Sequence, residues 1–406
     1  MAQYLNIILV LIAALCFSVL LLPKIRRNPF WRATVTPLAS IIGSGFLIIA
    51  PLLAAITGKM AIFAMMAILL VAYAVGGVMR YNIRHAEPRI KAVGAAPVIT
   101  RVEDLGRVVL ALAYIVSIAF YLRLMGSFVL DMVGLNTQTN AALLTSAVLL
   151  FIGISGSIRG LDGLEKLETA SVSLKLAIIV ALLVGLWHHD IETGFALDGL
   201  KPEHHTPIEQ LRMLAGMLLV VQGFETSRYL ANNYTATIRI RSMRLAQLVA
   251  SVIYLLFLWL ALPLMPNMEF GKPDETAIIT LSAQAATVLP FMLVLAAVMS
   301  QFSAAVADTV GAGGLVEEQT DGRVTEGKAY LGVTLVGIFL VWSANIFEIV
   351  AIASRAFAGY YLLQTLIAAR IVALRQEGIV RVLWLSGLLL LASVLLGTLL
   401  FALPVE

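Results

Sequence analysis

Five charged side chains lie inside long apolar runs, where a charge is costly and reads first as functional. Lys175 in "SVSLKLAIIVALL" is about eight residues into its run, ~12 Å along a helix. It either snorkels to the surface along its flexible stem or takes up and releases protons in a desolvated site. Glu225 in "VVQGFETSRYLANN" is ~21 Å into its run and past the midplane. It belongs either to a water-accessible region or to a structural ion pair. Arg123 in "FYLRLMGSF" and Arg355 in "IASRAFAGYY" lie ~22 Å and ~12 Å along theirs. Each can grip a substrate carboxylate bidentately, close an outer gate with Asp131 or Glu348, or serve as a static tie between helices. Asp308 reads as interfacial, near the cytoplasmic end of its run. "SQFSAA" (Ser300 to Ala305) supplies hydroxyls that serve a site or bond back to their own helix.

A different kind of signal stands in "ASIIGSGFLIIAPLL". Each glycine there costs roughly 1 kcal/mol against alanine in a helix. Close helix packing wants small residues four apart, but Gly43 and Gly45 are two apart and would point about 200° from each other. An unwound turn exposing backbone N–H and C=O groups explains the spacing better, and lipid tolerates one only against protein or a cavity. Thr36-Pro37 is expected as N-cap and first turn, placing the break about a turn and a half inside the helix.

These residues need a membrane around them. The chain is 60% hydrophobic and 13% charged, with a mean hydropathy of +0.95, more apolar surface than a soluble domain can bury. Twelve spans are expected: 3–22, 36–56, 60–79, 108–131, 140–158, 167–187, 211–231, 245–265, 284–309, 329–344, 347–371 and 381–403. The net charge of +4 follows from topology rather than from nucleic-acid binding. Lys24, Arg26, Arg27 and Arg32 follow the first span, and Arg80, Arg84, Arg89, Lys91, Arg101 and Arg107 the third. Arg159 and Lys166, then Arg239, Arg241 and Arg244, then Arg323 and Lys328, then Arg370, Arg375 and Arg381 continue the alternation. The opposite loops hold only Lys59, Lys201, Arg212 and Lys272. Positive-inside reasoning then puts both termini outside, in an expected bacterial inner (plasma) membrane. "MAQYLN" has no basic n-region, so the first span is expected to be retained and not cleaved.

A second interrupted segment, "MLAGMLLVVQGFETSRYLANN", begins five spans after the first. An odd number of spans per half inserts the second half upside down, and paired broken helices in inverted halves mark a midplane binding site. The fold class is therefore an all-α polytopic membrane protein, a five-plus-five inverted repeat with an extra helix at each end. The expected divisions are 1–32 (extra helix and basic linker), 33–190 (first repeat), 191–210 (outer loop), 211–374 (second repeat) and 375–406 (last helix).

Other chemistries find no support. Cys16 is the one cysteine, so disulfide and thiolate metal sites are excluded. His188, His189, His204 and His205 lack zinc spacing, and no metal or cofactor is expected. No GxxxxGK[ST], HExxH or GxSxG occurs, so an enzyme is not expected, and no loop is long enough for a receptor's output domain. "GVMRYNIRHAEPRIKAVG" reads as a solvated basic loop, and "TVGAGGLVEEQTDG" as a flexible acidic one.

"IIGSGFLIIAPLL" resembles the first core helix of the amino acid–polyamine–organocation (APC) superfamily. "GLEKLETASVSLKLAIIVALL" resembles its fifth, with the family's lysine at Lys175, and "VVQGFETSRYLANN" its sixth, with Gly223-Phe224-Glu225 at the usual GFE. The resemblance covers about residues 33–372. It implies a leucine-transporter-type fold working by alternating access. It also implies a substrate amino and carboxylate group held by backbone at Ile42, Gly43, Ser44, Gly45, Val220, Val221, Gln222 and Gly223. In proton-coupled relatives a lysine matching Lys175 takes the place of sodium, so protons and a small amino-acid-like solute are the expected partners, with Lys175 and Glu225 in coupling. A sodium-coupled or inorganic-ion carrier on the same fold is the alternative reading. The chain departs from the family in having Val220 and Val221 where aromatic residues are common, in being short, and in its extra N-terminal span.

Overall fold

In lipid, a single segment can satisfy its own backbone N–H and C=O groups only as a helix, and all regular structure among the described residues is helical. The computed structural model describes residues 2–43, 45–90, 97–161, 168–197, 199–200, 202, 205–267 and 274–405. Ser44, Lys91, Lys166, Lys201, His204 and Lys272 fall outside them. The helices used below are α1 (Ala2–Leu20), α2 (Pro29–Ile41), α3 (Gly45–Thr57), α4 (Ala61–His85) and α5 (Pro97–Asp131). They continue with α6 (Gln138–Arg159), α7 (Glu168–Thr193), α8 (Pro207–Gly216), the single turn α9 (Thr226–Tyr229) and α10 (Ala236–Ala261). The last are α11 (Ala277–Ala285), α12 (Leu289–Gln319), α13 (Glu326–Ser343), α14 (Ile346–Arg375) and α15 (Gly378–Phe401).

Nine helical stretches among the described residues are long and apolar enough to cross a membrane. The stretch Gly45–His85 takes in most of the expected span 36–56 together with 60–79, and the expected spans outside the nine are the second broken segment, 211–231, and the helix Glu326–Ser343. α1 and α15 are only 11% buried over their most apolar windows, against 83% for α5, so they are peripheral and α5 is central. α1 lies on α7 and α15 on α14. Helices at corresponding positions of the two expected halves pack on each other: α4 on α10, α5 on α12, α6 on α13.

Several local expectations change. The segment entering "GSG" starts at Asn28, whose side chain accepts from Phe30 N at 2.9 Å and Trp31 N at 3.2 Å, with Pro29 in the first turn. Pro37 is inside α2, so Thr36-Pro37 is not its start. "TVGAGGLVEEQTDG" is mostly the end of α12 and not a loop, because its glycines admit neighbouring rings. A side chain at Gly313 would lie 2.3 Å from the Tyr330 ring. Most of "GVMRYNIRHAEPRIKAVG" is likewise the end of α4 and the turn Glu87–Ile90. The second broken segment begins in a capping box, Thr206 Oγ1 accepting from Glu209 N while Glu209 accepts from Thr206 N at 2.8 Å. Those backbone and hydroxyl bonds from Thr206 hold the exposed Glu209 carboxyl below its ordinary range.

Charges in the expected loops, and Arg228 within an expected span, also prove to be structural. Arg80 is buried, donates to Gln247 and lies 4.8 Å from the Tyr73 ring centroid. Arg228 of α9 pairs with Glu103 of α5 at 3.0 Å and Glu87 at 3.7 Å. Arg239 of α10 pairs with Glu87 at 2.6 Å. Gln364 of α14 closes the cluster, donating to Glu103 at 3.0 Å and accepting from Arg228 at 2.6 Å and Asn82 at 2.9 Å. Arg228, Arg239 and Glu103 are all buried, so the cluster pins α9 to four surrounding elements. Removing one partner of a buried pair strands the other charge, at about 3–5 kcal/mol. Arg228→Met is therefore expected to lower the melting midpoint in detergent sharply. Adding Glu103→Gln to that variant should recover part of the loss; no recovery would show that the pairing is not what holds α9.

Candidate functional site

α2 ends at Ile41, and Ile42 leaves the helical region at φ −84°, ψ 53°. The chain is helical again from Gly45. On the other side α8 ends at Gly216, a 3₁₀ turn spans Leu218–Val221, and helix resumes only at Thr226. Gly223 has φ +117°, a conformation that L side chains avoid. The two breaks touch each other through their backbones. A Cβ on Gly45 would lie 2.8 Å from Val220 Cα, and one on Gly223 would lie 2.3 Å from Ser40 Cβ and 2.8 Å from Ile41 N. The glycines of "GSG" thus divide the work: Gly43 lies in the break, whereas Gly45 admits the opposite backbone.

Breaking two helices frees carbonyls that must find donors. Tyr254 Oη of α10 donates to Ile41 O at 2.9 Å and Val220 O at 2.6 Å, so one phenol proton is shared between both breaks. Lys175 Nζ of α7 donates to Ala39 O at 2.8 Å, to Ile42 O, and to Ser300 Oγ of α12 at 2.9 Å. The lysine is only 5% exposed, which rules out snorkelling and brings Ser300 of "SQFSAA" into the site. Gln222 donates to Tyr121 Oη at 3.2 Å. Glu225 accepts from Tyr361 Oη at 2.7 Å and Gly223 N at 3.0 Å, with no ion pair among the described residues. Its Oε1, the Gln222 Oε1 and both amide atoms of Gln301 are buried without partners among the described residues. Such orphans cost about 1–3 kcal/mol each, and four of the buried unpartnered atoms among the described residues lie around the breaks.

Two spaces flank this cluster. A crevice of about 20 Å³ is lined by Gly43, Lys175, Ser300 and Gln301, room for about one water. A vestibule of about 1290 Å³ is lined by Ser40, Tyr114, Thr226 and Asp308 together with Arg26, Arg27 and Arg32. Asp308 is not interfacial. It is buried, receives a hydrogen bond from Ser117 and lies eleven residues before the end of α12, because that helix runs ten residues beyond the expected span.

Ile42, Gly43, Gly45, Val220, Gln222, Gly223, Lys175 and Glu225 therefore share one buried neighbourhood, with Val221 beside them. Arg123 and Arg355 contact other parts of the fold. Arg123 donates to Gln138 O at 2.8 Å, tying α5 to the start of α6, and Arg355 donates to Ala402 O at 3.1 Å, beyond α15. In this structure each arginine ties two helical segments together. Among the described residues no three His, Cys, Asp or Glu side chains could hold a metal ion. Sequence reading missed Tyr254, Tyr361, Gln301 and the depth of Asp308. A lone hydroxyl within "VIYLLFLWL" was the available signal for Tyr254.

The sequence matches the model of a family described as APC superfamily transporter over residues 23–399. A protein of Aquifex aeolicus (strain VF5), described only as uncharacterized, is 47% identical over 349 residues, covering 85% of each chain.

If backbone contact fixes the breaks, Gly45→Ala and Gly223→Ala should each destabilise the purified protein by about 1–3 kcal/mol through overpacking, with Gly223→Ala the worse because of its φ. Gly332→Ala, where nothing lies within 4 Å of the new methyl, is the control and should be neutral or stabilising. Equal midpoints for all three in a thermal melt would refute the contact argument.

Proposed function

The chain belongs to the APC superfamily of transporters, and we propose that it is a proton-coupled secondary transporter of an amino acid or related small organic solute, working by alternating access. The reading rests above all on Lys175. Its ammonium has three donors, and the oxygens of Ala39, Ile42 and Ser300 take them. Protonated, the lysine ties the end of α2 to α7 and α12. Deprotonated, it loses the charge and one donor, and the tie slackens at the break itself. A mobile cation would want the same oxygens, so a tethered ammonium makes sodium unnecessary.

The interrupted backbone at Ile42, Gly43, Gly45 and 220–223 is the proposed seat for the solute's amino and carboxylate groups, with Gln222 and Gln301 supplying unpaired polar atoms; Ser44 is included on the sequence alone. Glu225, between Tyr361 and Gly223, is the proposed second proton site. The two five-helix series are read as inverted repeats. With both termini outside, the vestibule opens to the cytoplasm and the crevice is the closed outward side.

Uptake of radiolabelled amino acids into proteoliposomes tests this. An inward proton gradient should accelerate uptake, replacing sodium by choline should change nothing, and Lys175→Ala should abolish the gradient's effect. Uptake indifferent to the gradient, or unaltered in Lys175→Ala, would sink the coupling. A sodium requirement would favour the sodium-coupled alternative.

A further inference from the structure

A groove of about 360 Å³ runs between α4, α14 and α15, far from the breaks, lined by Gly77, Tyr81, Ala368, Val372, Trp384 and Gly387. It is within the size range of ligand pockets and lies under the peripheral helix α15. Its walls are apolar except at one end. There the Tyr81 ring lies between Trp384, at 5.8 Å, and His85, at 4.6 Å, tilted against both. The Tyr81 hydroxyl is buried with no hydrogen-bond partner among the described residues. Arg375 touches His85, and the charges of Arg375, Arg84 and Arg89 all act on that imidazole. None of these three arginines has a carboxylate within ion-pair distance among the described residues.

An apolar slot ending in an orphan hydroxyl and three uncompensated guanidiniums asks for a ligand with a long apolar tail and an anionic head. Aromatic and basic residues at helix ends mark the level of lipid headgroups, and basic pockets between membrane helices hold anionic ones. We infer that this groove binds an anionic phospholipid, its acyl chain between α14 and α15 beside Gly77 and Gly387, its phosphate on Arg84, Arg89 and Arg375. Tyr81 donates to a headgroup or ester oxygen. The lipid would brace α15 against α4 and α14, which α15 otherwise covers with little burial of its own.

Delipidated protein in a non-ionic detergent tests this by thermal melting and native mass spectrometry, with phosphatidylglycerol, phosphatidylcholine and inorganic phosphate as probes. Phosphatidylglycerol should raise the melting midpoint and remain bound, and the other two should not. Arg84→Ala and Arg375→Ala should each weaken its binding roughly fivefold, the loss expected for one basic residue at a membrane surface. Gly387→Leu should fill the groove and abolish retention without lowering the lipid-free midpoint, since nothing lies within 4 Å of a Cβ there. The inference fails if phosphatidylcholine binds as well, if Gly387→Leu retains phosphatidylglycerol, or if inorganic phosphate alone gives the full stabilisation.

Discussion

A helix broken inside a membrane must have its freed backbone groups covered by protein, and this chain breaks two. That single requirement accounts for most of the polar chemistry in its interior. The breaks cover one another first, through backbone contact at Gly45–Val220 and Gly223–Ser40. What remains exposed is met from the surrounding helices, by Tyr254 for Ile41 and Val220 and by Lys175 for Ala39 and Ile42. Each donor sits on a different helix, so the breaks also dictate which helices gather around them. α7, α10 and α12 are held to the breaks by hydrogen bonds that lipid cannot supply.

The parts of this arrangement that local sequence could reveal are those in which composition and spacing suffice. Two glycines two apart in an apolar run announced the first break, and Gly223 before Glu225 announced the second. A lysine eight residues into a span announced its own burial. Span ends were less legible, because a hydropathy reading stops at the first cluster of charges whereas the helix continues as long as its backbone is best satisfied that way. α12 runs to Gln319 and α5 starts at Pro97, and this moved Asp308 and Glu103 from presumed surfaces into the interior. The ionic cluster of Arg228, Arg239, Glu87 and Glu103 was illegible for a further reason: its members come from separate elements, and only the packing brings them together. Arg228 did carry a signal, as a charge three residues beyond Glu225 within an expected span.

The unequal spaces on either side of the breaks fit the same constraint. Unpartnered amide and carboxyl oxygens lie at Gln222, Glu225 and Gln301, and Gln301 lines the crevice. On the proposed reading they are the groups that an arriving solute or water would use. The vestibule reaches Ser40, which also carries the Gly223 contact at the crossing point of the breaks. Movement that widens the crevice at the far side has to separate Gly45 from Val220 or shift both together. The ion cluster holding α9 opposes the first of these by fixing the C-terminal half of the second broken segment.

A tethered ammonium also differs from a bound ion in what it permits. A mobile cation can leave its oxygens, and the site then changes charge by dissociation. Lys175 cannot leave. Its attachment to α7 fixes the nitrogen near Ala39, Ile42 and Ser300, and the charge there can change only by loss of a proton. On the proposed reading this makes the protonation state of one nitrogen the variable that distinguishes a tight break from a loose one. The three helices it joins are then the ones that have to move relative to each other when that proton departs.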